Sequence, residues 1–161
     1  MSAAKQLADR FREVMLNGKW VANTNYHDQI AEVDWALANQ QVGSLNTVLK
    51  LTFHINYYIA GLLQVFDGGS LDIRDQFSFD SGHIQSPEAW EQLKKDLFAN
   101  SERFAAYVET LSDEQLDAPF VKEQYGTYRR NIEVHIEHGY YHLGQVSIIK
   151  KLIAEGHAKA V

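Results

Sequence analysis

The 161-residue chain contains no cysteine. That excludes disulfides, thiolate metal sites, iron–sulfur clusters and cysteine nucleophiles, and leaves imidazole and carboxylate as the available metal ligands. Proline is nearly absent too: Pro87 and Pro119 are the only two, each where a helix starts or a connection turns, so long stretches are free to be helical. No window approaches eighteen apolar residues. The best candidate, Leu51 to Phe66, is interrupted by His54, Asn56 and Gln64, so no segment is expected to span a membrane. Nor is there a basic excess. A net charge of -6 works against phosphate neutralisation, so nucleic acid is not an expected partner. Met1 to Gln6 runs into mixed charged sequence without the apolar core of a secretory signal, and the expected location is cytoplasmic.

What remains is ordinary globular composition, 45% hydrophobic and 22% charged, in a chain long enough to bury its own core. There is no internal repeat, low-complexity tract or linker, and a single domain over 1–161 is expected. The pattern is all-α. Leu7, Phe11, Val14 and Met15 mark a first helix from about Ala3 to Leu16, stopped by Asn17-Gly18; Ile30, Val33 and Leu37 predict a second from Tyr26 to Ala38, capped by Thr24 or Asn25. Ser44 is the expected cap of a long helix to Phe66, along which Val48, Thr52, Ile55, Ile59 and Leu62 advance by threes and fours. Ser70 to Gln85 shows no period and reads as a long connection of the kind that often borders a site. Ser86-Pro87-Glu88 opens the next helix, to Leu111. Ser112 caps a single turn, and Tyr128 to Glu155 forms the last helix, closed by Gly156. The expected architecture is a four-helix bundle with a long crossover and short accessory helices.

The chemistry lies on the last helix. His135, His138 and His142 lead into Ile149 and Ile153 on one face. At about 100° per residue, His138 and His142 are separated by about 40°, so their imidazoles occupy a stripe where core side chains belong. Burying a polar group without a partner costs about 1 to 3 kcal/mol, and a metal ion is one partner that removes the cost. Imidazoles at i and i+4 converge on one ion, and a third ligand must come from elsewhere. His54 is the best candidate, mid-helix beside Leu51, Tyr58 and Leu62. Taken singly, His54 reads more readily as an edge-of-core histidine with a hydrogen bond than as a ligand, and a bare i, i+4 pair recurs by chance. His135 is open between fourth ligand, hydrogen-bond partner and wall of the site. His27, His83 and His157 are expected at the surface, and Glu133 and Glu137 rotate away from the pair. Tyr57, Tyr58, Tyr140 and Tyr141 gather near the proposed ligands as packing residues. Tyr58, on the side used by His54, is also a candidate to orient substrate or donate a proton.

The segment His138-Gly-Tyr-Tyr-His142-Leu-Gly144-Gln145 resembles the His-x-x-x-His-x-Gly-Gln signature of the DinB-like superfamily, also described as YfiT-like metalloenzymes. Gly18-Lys19-Trp20, Ser44, and Phe53-His54 followed by Tyr57-Tyr58 extend the resemblance over most of the chain. It implies a four-helix bundle with a long crossover, a divalent metal held by His54, His138 and His142, and a homodimer. It also implies, through some relatives, thiol-dependent transfer or isomerisation, in which a metal activates the sulfur of a small thiol cofactor.

Two functions follow. The first is a metal-dependent transferase or hydrolase acting on a small electrophile, in which an ion with an open position lowers the pKa of water or thiol. The second is a non-catalytic, metal-stabilised bundle with a stress-response or binding role, which calls for a closed site of four protein ligands. A carboxylate-bridged di-iron centre is disfavoured, because no Glu-x-x-His pair repeats on two helices. Imidazole ligands suit zinc first and nickel second.

Overall fold

The computed structural model describes residues 1–158; the last three positions of the expected 1–161 domain lie outside the described residues. The described residues form seven α-helices, one π-helical turn and two 3-10 turns, and an isolated antiparallel bridge joins Pro119 and Thr127. Each helix begins where a side chain takes up a free backbone amide. The Ser2 hydroxyl accepts from Lys5 N and starts α1 (Ala3–Arg12), which widens into a π-helical turn at Glu13–Asn17. Asn25 caps α2 (Tyr26–Ile30) and Asp34 caps α3 (Trp35–Ala38). Thr47 caps α4 (Val48–Phe66), and Ser86 caps α5 (Pro87–Glu109) with Pro87 at its first position. Ser112 and Gln115 form a reciprocal capping box on α6 (Asp113–Asp117). Thr127 caps α7 (Tyr128–Ala154), and Gly156, at φ +81°, turns the chain out of that helix.

Two boundaries differ from the sequence reading. The single helix expected over Tyr26 to Ala38 is two, because its middle carbonyls are claimed from α5: Trp90 Nε1 donates to Val33 O at 2.7 Å, and Lys94 Nζ donates to Ala31 O at 2.8 Å and Val33 O at 3.2 Å. The cap of α4 is Thr47 rather than Ser44; its hydroxyl accepts from Lys50 N at 3.2 Å.

Four helices pack in a closed ring, α1 on α5, α5 on α4, α4 on α7 and α7 on α1. Arg12 of α1 meets Glu102 and Glu109 of α5, each at 2.9 Å, and Phe11 meets Phe104, which makes that pair antiparallel when read with Lys5 near Glu109. Along α4 and α5 the order is the same in both: Asn100 donates to Asn56 at 2.9 Å, and further on Phe66 stacks on Tyr107. The two helices are parallel neighbours, so the chain between them must return the full length of α4. It does so in contact with that helix. Asp72 accepts from Gln64, Arg74 O from Tyr57, and Asp75 from Tyr58, and His83 ends against Phe53. α7 closes the ring antiparallel to α4, with Tyr128 near Phe66 and the histidines near His54. Gly139 seats α7 against Val14 and Met15 of the π-helical turn. Most of the apolar positions anticipated on the helices are buried, among them Leu7, Phe11, Ile55, Ile59, Trp90, Leu97, Phe104 and Val146, while Leu37, Phe66 and Ile153 are half-buried. Among the described residues, no helix is long and apolar enough to cross a membrane.

Lys94 tests the break between α2 and α3. It is 5% exposed, and it is the donor to the Ala31 carbonyl. Lys94→Met leaves the half-buried Ala31 carbonyl without its partner and the buried Val33 carbonyl with Trp90 alone, and is expected to lower the unfolding free energy by about 1 to 3 kcal/mol. Urea titration measures this, and an unchanged midpoint would show that the carbonyls do not depend on the ammonium.

Candidate metal centre

His54 projects from the middle of α4, and His138 and His142 from successive turns of α7. His138 Nε2 lies 3.0 Å from His54 Nε2 and 2.8 Å from His142 Nε2, and one ligand atom from each of the three lies within 4.8 Å of the others. His54 and His142 are buried and His138 is half-buried.

The opposite ring atoms fix the chemistry of this cluster. His54 Nδ1 donates to the Ser78 carbonyl at 3.2 Å, and His142 Nδ1 donates to Gln145 Oε1 at 2.6 Å. With the proton on Nδ1, the Nε2 of each neutral ring carries only a lone pair, and both lone pairs face His138 Nε2. His138 has at most one Nε2 proton to offer, so at least one nitrogen–nitrogen contact in the cluster lacks hydrogen. Extra protons are disfavoured. Burial, then the proximity of His142, pushes His54 down to about 4; burial, then His142, His54 and His135, pushes His138 down to about 3. Burial also lowers His142, against the opposing effect of its bond to Gln145. Two lone pairs aimed at a third ring nitrogen suit one cation, with His138 carrying its own proton on Nδ1. Ligand nitrogens about 2.0–2.1 Å from a tetrahedral ion stand about 3.3 Å apart, a few tenths of an ångström from the separations seen. Two of the three rings already have the acceptor on the far nitrogen that histidine ligands normally use.

His135 lies outside this group. Its Nδ1 donates to Asn131 O at 2.9 Å within α7, its ring stacks on Phe104, and its Nε2 is buried without a partner. It forms the wall between the cluster and the core. A closed site of four histidines is therefore not what the described residues assemble. Tyr58 stands edge-on to His54 and His138, at ring separations of 5.0 and 5.5 Å, and its hydroxyl donates to Asp75 Oδ1 at 2.7 Å. Tyr141 flanks His142. His27, His83 and His157 are exposed and apart from the cluster, and Glu137 pairs with Arg130 on the outer face.

The returning connection supplies what the sequence reading did not find. Ser78 orients His54, Phe79 stacks on the His54 ring at 4.0 Å and 11°, and Asp75 holds Tyr58. These residues sit in an aperiodic segment and carry no local signal. Gln145 was legible in principle, because i+3 spacing puts it one turn beyond His142 on the same face.

Comparison with known proteins adds one positive finding. A model of the DinB superfamily matches residues 22–146, a span that includes all three clustered histidines and Gln145. No curated protein and no solved structure matches the chain.

The depressed histidines fix the sign of a pH effect on the metal-free protein. In the folded state they stay neutral to about pH 4 or below, whereas in the unfolded chain they take up protons near 6.5. The unfolded chain thus binds more protons between those values. Stability is present in full above about pH 6.5 and is lost as the pH falls towards 4. Urea melts of metal-free protein across this range should show the decline, and replacing His54 and His138 with glutamine should flatten it; equal slopes would show that the rings are not buried neutral.

Proposed function

The chain belongs to the DinB superfamily, and on that premise we propose that it is a metal-dependent enzyme of transferase or hydrolase type in which His54, His138 and His142 hold one divalent ion, zinc before nickel. The observation that carries this reading is the meeting of the three Nε2 atoms, two of them aprotic because Ser78 and Gln145 take up the protons on the far nitrogens. When bound, the ion supplies positive charge that acidifies a water or a small thiol and polarises the substrate.

The chain's own groups do the rest. The Ser78 carbonyl and the Gln145 amide hold two rings in the donor tautomer and raise their basicity. Phe79 lies flat on His54 and keeps solvent from that face. Tyr58 and Asp75 form a proton path beside the cluster. As a reacting O–H or S–H gives its proton to Tyr58 Oη, the tyrosine proton passes along the existing 2.7 Å bond to Asp75 Oδ1. Burial and the bond to Asp75 both raise the Tyr58 pKa, so the phenol stays protonated and ready for this exchange. An ion held by these three histidines alone would keep a position for substrate, which favours catalysis over an ion that only secures helix packing.

Metal analysis of untagged protein tests the ligand set: one ion per chain is expected, and His54→Ala, His138→Ala and His142→Ala should each lose it while keeping the helical circular dichroism. Gln145→Ala is expected to weaken binding about 10- to 100-fold. Full metal content in any of the three histidine variants would remove that residue from the centre.

Tyr58→Phe separates proton handling from metal binding. Transfer of a small thiol to chlorodinitrobenzene, abolished by chelation and restored by one metal, should fall about 100-fold in this variant with metal content unchanged. Undiminished turnover would take Tyr58 out of the reaction.

A further inference from the structure

The side chains that rim the histidine cluster are unlike the cluster itself. Phe79 has one face packed parallel on the His54 ring, yet it remains 38% exposed, so its other face is open to solvent. Tyr141, 5.0 Å from the His142 ring, is 64% exposed. One aromatic comes from the returning connection and the other from α7, and they flank two histidines whose rings are 4.8 Å apart. Neither has a role in holding the fold that requires this exposure. Exposed apolar faces beside a polar, half-buried centre mark the place where a ligand's apolar part is received.

Charge narrows the class further. None of the ion pairs among the described residues includes a member of the cluster or either of the two aromatics. The ionised side chain that bears on His54 is the Asp75 carboxylate. Recognition of a phosphate or carboxylate is usually the work of arginine or lysine forks, and a carboxylate at the rim opposes such a ligand.

Resting on the metal-centre reading above, we infer that the substrate presents an uncharged, planar, apolar group, aromatic in type, which is received between the open faces of Phe79 and Tyr141 while its reactive end meets the three-histidine centre. Phe79 and Tyr141 are then specificity-determining residues.

The test uses the full chain loaded with zinc and three probes that share one metal-binding head: imidazole, 4-phenylimidazole and imidazole-4-acetate, followed by calorimetry. The phenyl group is expected to tighten binding about tenfold over imidazole, and the acetate to give no gain. Tyr141→Ala should cut the phenyl advantage to about threefold or less with imidazole itself bound as before, and Phe79→Leu should cut the ratio of phenylimidazole to imidazole affinity to the same extent. If Phe79→Leu also loses imidazole, Phe79 only secures His54, and its part of the inference is overturned while Tyr141→Ala decides the remainder. A zinc-loaded chain that gains nothing from the phenyl group, prefers the acetate, or keeps the full phenyl advantage in Tyr141→Ala overturns the inference alone. A chain that takes up no zinc overturns the metal reading, and this inference with it.

Discussion

Three imidazole nitrogens brought within a few ångströms of one another, with too few protons to separate them, are an unfavourable arrangement unless something positive lies between. The rest of the structure maintains that arrangement rather than relieving it. Ser78 and Gln145 take the Nδ1 protons, burial keeps additional protons away, and the ring of helices prevents α4 and α7 from drawing apart. A cluster that only needed to fill space would be simpler with leucine, and a polar core that only needed satisfaction would turn one ring to donate to the next.

The parallel pairing of α4 and α5 is what equips the centre. Two antiparallel neighbours can be joined by a short turn, but parallel ones require a return strand of chain, and here that return lies along the outer side of α4. It delivers in sequence a carboxylate to Tyr58, a carbonyl to His54 and an aromatic face to the same ring. Gly61 permits this close approach, since a Cβ there would collide with the Ile73 side chain. A topological requirement thus doubles as the means of placing groups around a site, which is how loops on a rigid scaffold commonly acquire function.

What the sequence disclosed follows the range of the interactions involved. The capping box of α6, the Ser86-Pro87 start of α5 and the shared face of His138 and His142 are set by residues within one or two turns, and they were readable as such. His54 required a guess about which helix faces α7, guided by its position among apolar neighbours. The break between α2 and α3 was not readable, because it is imposed by Trp90 and Lys94 from about sixty residues away. Thr47 takes the cap in place of Ser44 because Ser44 lies in a turn, with Gly43 at φ +56° and Leu45 N donating to Val42 O. Asp75, Ser78 and Phe79 were hidden for the same reason: no period marks them, and their role exists only once the connection lies on α4. His135 was ambiguous on its helical face, and it was resolved by two contacts, Asn131 O within the helix and Phe104 across from it.

The centre itself is open to one direct observation, the anomalous scattering of zinc in crystals of the metal-loaded protein. A single peak about 2.0–2.1 Å from the Nε2 atoms of His54, His138 and His142, with His135 outside its coordination, is the predicted result. A peak that omits any of these three nitrogens, or that recruits His135 to close the site, would contradict a three-histidine centre with a position left for substrate.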